Sequence, residues 1–156
     1  MSSLLNIEYG YGIDKETLRK ITTKNMEEFL KNHLPLDYKE MVEDVASEIG
    51  ERLPEESDYE QWMEECTCIN SGVNGMYSII STVMTRETGI RFTFHNDTDA
   101  TTCAIMLSKS LPWEMNKYEA RCTKEHVEYL FKKYLSELDL QEDQIVFKNI
   151  SVEYYN

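Results

Sequence analysis

Apolar and polar positions alternate, then switch period, then alternate again along this chain, and the switches divide it into elements. Residues 4–12 alternate loosely and end in Tyr9-Gly-Tyr-Gly12, which predicts a short strand running into a turn that needs positive φ or close backbone approach. Asp14 is placed to cap a helical turn over 15–20, and Thr23 to cap a longer helix in which Met26, Phe29, Leu30 and His33/Leu34 keep helical spacing until Pro35 stops it. Asp37 with Glu40 has the pattern of a capping box. It precedes an apolar stripe of Met41, Val42, Val45, Ile49 and Leu53, closed by Pro54. Ser57 with Glu60 repeats the pattern before a short helix from Asp58 to about Glu65, anchored by Trp62 and Met63.

The second half reads as more sheet. Ser71-Gly-Val-Asn-Gly75 opens a helical pattern with Val73, Met76, Tyr77, Ile80, Val83 and Met84 on one face and Gly89 at the C′ position. Ile90, Phe92 and Phe94 then alternate with Arg91 and Thr93, and Thr101–Leu107 returns as a second strand, so the two read as a hairpin. Pro112-Trp113 marks a loop, and Thr123 caps a helix carrying Val127, Leu130, Phe131, Tyr134, Leu135 and Leu138. Ile145–Tyr154 makes the last strand. The order predicts one α+β domain over 1–156, a small antiparallel sheet of about four strands covered by four to five helices. A chain of 156 residues with 41% hydrophobic content can bury one sufficient core, despite a mean hydropathy of −0.53.

Charge adds what patterning cannot. Between Glu40 and Glu65 lie eleven acids and one base, Arg52, so this stretch carries −10 of the formal −13. Burial of the apolar stripe turns these carboxylates outward, because a helix that packs one face presents the other to water. A solvated face is the ordinary explanation of a charge run. A surface kept only for solubility, however, usually mixes signs, and this one does not. Such a field favours a basic protein partner and repels nucleic acid or an anionic membrane. The candidate partner-binding set is Glu40, Glu43, Asp44, Glu48, Glu51, Glu55, Glu56, Asp58, Glu60, Glu64 and Glu65, with Tyr59 and Trp62 as aromatic anchors among them.

The candidate chemistry is sparse. Cys66-x-Cys68 and Cys122-x₃-His126 would supply four ligands for a structural zinc if the pairs met in space, although C-x-C is shorter than the usual spacing and a buried thiol is the commoner outcome. His95 and Cys103 could substitute. Asn96-Asp-Thr-Asp99 lacks the Gly and terminal Glu of a calcium loop, and no nucleophile elbow, phosphate loop or H-E-x-x-H pattern occurs. The N-terminus has neither the basic flank nor the apolar run of a signal peptide, so the expected compartment is the bacterial cytosol, where cysteines stay reduced.

Tyr9-Gly-Tyr-Gly12, the segment Gly75-Met-Tyr-Ser-Ile-Ile-Ser-Thr-Val-Met84 running into Thr88-Gly-Ile-Arg91, and Leu111-Pro-Trp-Glu-Met115 together resemble a group of small acidic proteins of Firmicutes phages and mobile elements. That group includes anti-CRISPR and anti-restriction inhibitors. The resemblance implies inhibition of a host defence and identifies no target. Joined to the acidic helical patch, it leads to the expectation of a non-enzymatic inhibitor of the anti-CRISPR type that binds a basic nucleic-acid-binding surface of a CRISPR effector nuclease. Two alternatives stand beside it: a zinc-binding protein or enzyme built on the Cys/His set instead of the acids, and an immunity protein against a basic nuclease toxin that relies on the same acids.

Overall fold

The computed structural model describes residues 5–69, 77–96, 103–108, 110 and 112–155, apart from the side chains of 5, 6, 63–69, 96, 103, 154 and 155. Within these residues the chain folds as α+β, with a four-stranded antiparallel sheet and six α-helices. The strands are β1 (Leu5–Asp14), β2 (Phe92–Asn96), β3 (Cys103–Ser108) and β4 (Lys148–Tyr155), in the order β2-β3-β1-β4. The helices are α1 (Lys15–Leu18), α2 (Thr23–His33), α3 (Pro35–Ile49), α4 (Glu56–Ile69), α5 (Tyr77–Thr88) and α6 (Lys124–Ser136). No described helix is long and apolar enough to cross a membrane.

Register sorts the sheet into two faces. Phe92 lies beside Leu107, which lies beside Tyr11, and Phe94, Ile105 and Ile13 line up in the same way. Phe92, Ile105 and Ile13 join the main core with Met26, Phe29 and Met41 from α2 and α3, Ile80 and Met84 from α5, and Phe131, Tyr134 and Leu135 from α6. Ala104, Met106, Ile150 and Val152, one residue out of phase, form a second, smaller cluster on the opposite face.

Several local expectations need correction. Tyr9-Gly-Tyr-Gly12 makes no turn, since β1 runs on to Asp14 and pairs through both glycines. The glycines serve close backbone approach instead: a Cβ on Gly12 would stand 2.7 Å from Met106 Cα and run into the Ile105 carbonyl. Thr22, not Thr23, caps α2, because Thr22 is extended and its Oγ1 accepts the Asn25 N–H while Thr23 is already helical. Pro35 stops α2 but also begins α3, since proline has no N–H to lose at the first helical position. The Asp37/Glu40 box is therefore displaced, and Leu34 serves both helices, as C-cap of one and N-cap of the next without a side-chain cap bond. The helix that was to reach Pro54 ends at Ile49, where Gly50 takes φ +70°, and Leu53 is consequently 84% exposed rather than buried. At α4 the Ser57/Glu60 box is replaced by Asp58, whose carboxylate accepts the Glu55 N–H at 2.8 Å one turn back. The last strand begins at Lys148, after a 3₁₀ turn at Glu142–Gln144, although Ile145 is buried as its apolarity requires.

Other readings hold. Asp14 and Thr123 cap α1 and α6, Gly89 closes α5 at φ +76°, and β2 with β3 forms the hairpin. The Ser71-Gly-Val-Asn-Gly75 segment lies outside the described residues.

Candidate functional site

α3 carries the acidic surface. Met41 and Val45 are fully buried, Tyr38, Val42 and Ile49 are partly so, and Glu40, Glu43, Asp44 and Glu48 stay exposed along the helix. Glu51, Glu55, Glu56 and Glu60 are exposed beyond it. Among the described residues none of Glu40, Glu43, Asp44, Glu48 or Glu51 has a cationic partner; Asp44 accepts only the Trp62 indole N–H, at 3.4 Å. From Glu40 to Glu48 four carboxylates occupy about 12 Å of helix axis, or one charge per about 3 Å. Each strand of DNA carries one per about 3.4 Å.

Asp58 belongs to structure more than to the surface. Arg52 donates to it at 2.8 Å and lies 3.7 Å from Glu55, so the one base in the acidic stretch is engaged at the start of α4. The Arg52 guanidinium, with the Glu55 N–H, holds the Asp58 carboxyl below its usual range. Tyr59 and Trp62 were expected to stand among the acids as anchors. Both are half-buried against the main core, where burial raises the Tyr59 phenol, so they fix α4 to the rest of the fold and are only partly open to a partner. The side chains of Glu64 and Glu65 lie outside the described residues.

The proposed zinc ligands divide in the same way. The Cys66 and Cys68 side chains, and that of Cys103, lie outside the described residues. Cys122 is half-buried, its thiol is directed at the Thr123 carbonyl at 3.6 Å, and burial, together with the Glu119 charge, pushes it up. His126 is exposed at the start of α6 and stacks on Tyr129 at 6.0 Å. Among the described residues no three His, Cys, Asp or Glu side chains meet as a metal-binding group.

Three polar clusters were not foreseen, because each joins residues distant in sequence. His33, at the end of α2, lies between Glu87 of α5 (2.6 Å from Nδ1) and Glu137 after α6 (2.9 Å from Nε2); the Tyr134 hydroxyl also donates to Glu87 at 2.9 Å. Burial opposes a charged imidazole here, but the two carboxylates outweigh it and hold His33 above its ordinary value. Arg91 donates to buried Glu119 at 2.8 Å and to the Glu114 carbonyl at 2.7 Å. This guanidinium, with the N–H groups of Asn116 and Arg91, lowers the Glu119 carboxyl to about 2. On the strands, Ser108 donates to Glu8, whose other oxygen stands 3.6 Å from His95 Nε2; that nitrogen is buried without a hydrogen-bond partner, and burial lowers the imidazole.

A cleft of about 280 Å³ opens beside β1 and β3, lined by Tyr11, Leu107, Ser108, Ser110, Met115 and Cys122, with Glu119 in its wall. Its rim is basic. Lys124 Nζ lies 5.1 Å from the centre of the ring of Tyr11, which lines it. Comparison of the chain with known protein families, with curated proteins and with solved structures finds no match.

Proposed function

We propose that this protein is a non-enzymatic inhibitor, of the kind carried by phages and mobile elements, that binds a basic nucleic-acid-binding surface of a CRISPR effector nuclease. The observation that carries the reading is the row of exposed, cation-free carboxylates on α3. Their linear charge density approaches that of a nucleic-acid strand, so a groove lined with Lys and Arg for phosphates would meet a comparable field. A rigid helix gives up little conformational freedom on docking, and steering between opposite charges makes association fast and salt-sensitive.

Replacement of Glu43, Asp44, Glu48 and Glu51 by Lys tests it. All four are exposed, so the variant is expected to keep its far-ultraviolet circular dichroism while losing capture of a purified CRISPR effector nuclease across a salt series. A folded variant that inhibits the nuclease as well as the parent does would overturn the proposal.

A further inference from the structure

β4 is an edge of the sheet, and among the described residues its one extensive contact is with β1. A strand edge presents a row of N–H and C=O groups ready to pair, and natural sheets blunt it with proline, a bulge, a free lysine or a covering helix. Among the described residues β4 has none of these. It is 8 residues long, against about five or six for an ordinary strand, and it pairs with β1 from Leu5–Tyr155 to Gly12–Lys148 without a break in register or a proline. Its one lysine, Lys148, is held by Asp14 at 2.8 Å and Glu16 at 3.3 Å, so that charge is already taken up.

The sheet face beside this edge is open too. Asn149, Ser151 and Glu153 are exposed on β4, and the partners of Ser151 and Glu153 on β1, Tyr9 and Ile7, are 54% and 46% exposed. A hollow of about 230 Å³ lies where Tyr9 meets Asn149 and Ser151, so the middle of the strand is accessible. On the opposite face Ile150 and Val152 are buried with Ala104 and Met106. Polar positions at 149, 151 and 153 thus alternate with apolar ones at 150 and 152, a pattern symmetric about Ser151.

We infer that a second copy of this chain adds to the sheet along β4, antiparallel and related by a two-fold axis, with Ser151 opposite Ser151 of the second copy. A two-fold axis normal to the sheet keeps like faces together. Ile150 then lies opposite Val152 and Asn149 opposite Glu153, so the small apolar cluster continues from one copy into the next and no like charges meet. On the other face the two Tyr9 positions stand about 14 Å apart, three strand spacings, with only serine between them. A strand of another protein would find the same open edge, but β4 is its own complement about Ser151. The net charge of −13 opposes self-association, yet β4 adds only Lys148 and Glu153 to it, and α3 packs chiefly on α2 and α4. At about 0.15 M salt that repulsion is screened beyond roughly 8 Å. Salt therefore strengthens the pairing of copies, whereas it weakens docking of the acidic helix on a basic surface, and the two contacts share no residue.

Sedimentation velocity on the full chain tests the pairing between about 1 µM and about 100 µM in about 150 mM salt. The 18.4 kDa chain is expected to move to twice that mass as concentration rises, and to do so less at about 20 mM salt. Ser151→Lys and Ser151→Glu, at an exposed position, are each expected to keep the parent's circular dichroism and stay monomeric, because each sets like charges opposite one another across the axis. Mixed in equal amounts, they are expected to form the dimer again, since lysine then faces glutamate. In a register centred one residue either way, position 151 would face 149 or 153, and the lysine would not meet its own copy. Hydrogen exchange of the unaltered chain is an independent check: amide protection over 148–154 should rise with concentration. A parent that stays monomeric throughout overturns the inference, as does protection indifferent to concentration. A dimer that Ser151→Lys leaves intact overturns it too, and so do two folded monomeric variants that fail to pair when mixed.

Discussion

Gly12 has no room for a methyl group: the space a Cβ would take is filled by the backbone of β3, which cannot swing aside as a side chain could. Gly12→Ala is therefore expected to cost about 2–3 kcal/mol, read as a lower urea midpoint. Glu119 makes a different kind of demand. Its carboxyl is lowered to about 2 in the folded protein, so it contributes stability above its unfolded value of 4.5, and that contribution is lost as pH falls from there toward 2. Glu119→Gln should destabilise by about 2 kcal/mol at pH 7, discounted because Arg91 is half exposed, and the gap to the parent should narrow below pH 4.5. Urea titrations of both proteins at several pH values check this. Neither position stood out in the sequence as it does here. Tyr9-Gly-Tyr-Gly12 allowed a turn or a close approach, and only strand pairing decides between them; the partner of Glu119 lies 28 residues away.

His33 binds elements together. Its ring touches Phe29 and Tyr134, and its two nitrogens face carboxylates delivered by α5 and by the turn after α6, so three helices converge on one imidazole. The titratable groups facing it are Glu87, Glu137 and Tyr134, the last pushed up to about 12 by burial and by Glu87 and therefore neutral near pH 7. With the folded pKa raised above 6.5, the stabilisation is complete below 6.5 and is lost as pH rises through the folded value. Stability should accordingly fall from pH 6 toward pH 9 in the parent and fall less in His33→Gln, as measured by thermal melts. Elements were largely legible from periodicity, because α2, α3, α5 and α6 each bury one apolar face. Their ends were less so: Pro35 both stops and starts helices, and Leu53 matched the stripe of α3 only while Gly50 was assumed to continue it.

At the scale of the whole molecule the acids of α3 repel one another, and the fold bears that cost. Screening should relieve it, so thermal stability is expected to rise between about 20 mM and about 500 mM salt, with a smaller rise in the four-lysine variant of α3. A parent whose melting temperature is indifferent to salt would show that the carboxylates are too widely solvated to strain the chain. The acidic face itself could be read from composition and spacing, since charged residues opposite a buried stripe have nowhere to go but outward. The clusters at His33, Glu119 and His95 could not, because each depends on which helices and strands become neighbours. The anchoring roles of Tyr59 and Trp62 turn on the same question, for these aromatics beside acids in sequence pack inward in space. Leu34, finally, leaves no slack between α2 and α3: one residue is both the end of the first and the beginning of the second. The acidic helix is thus mounted on α2 as an arm on a fixed joint, so the direction of its whole row of carboxylates is set by that of α2.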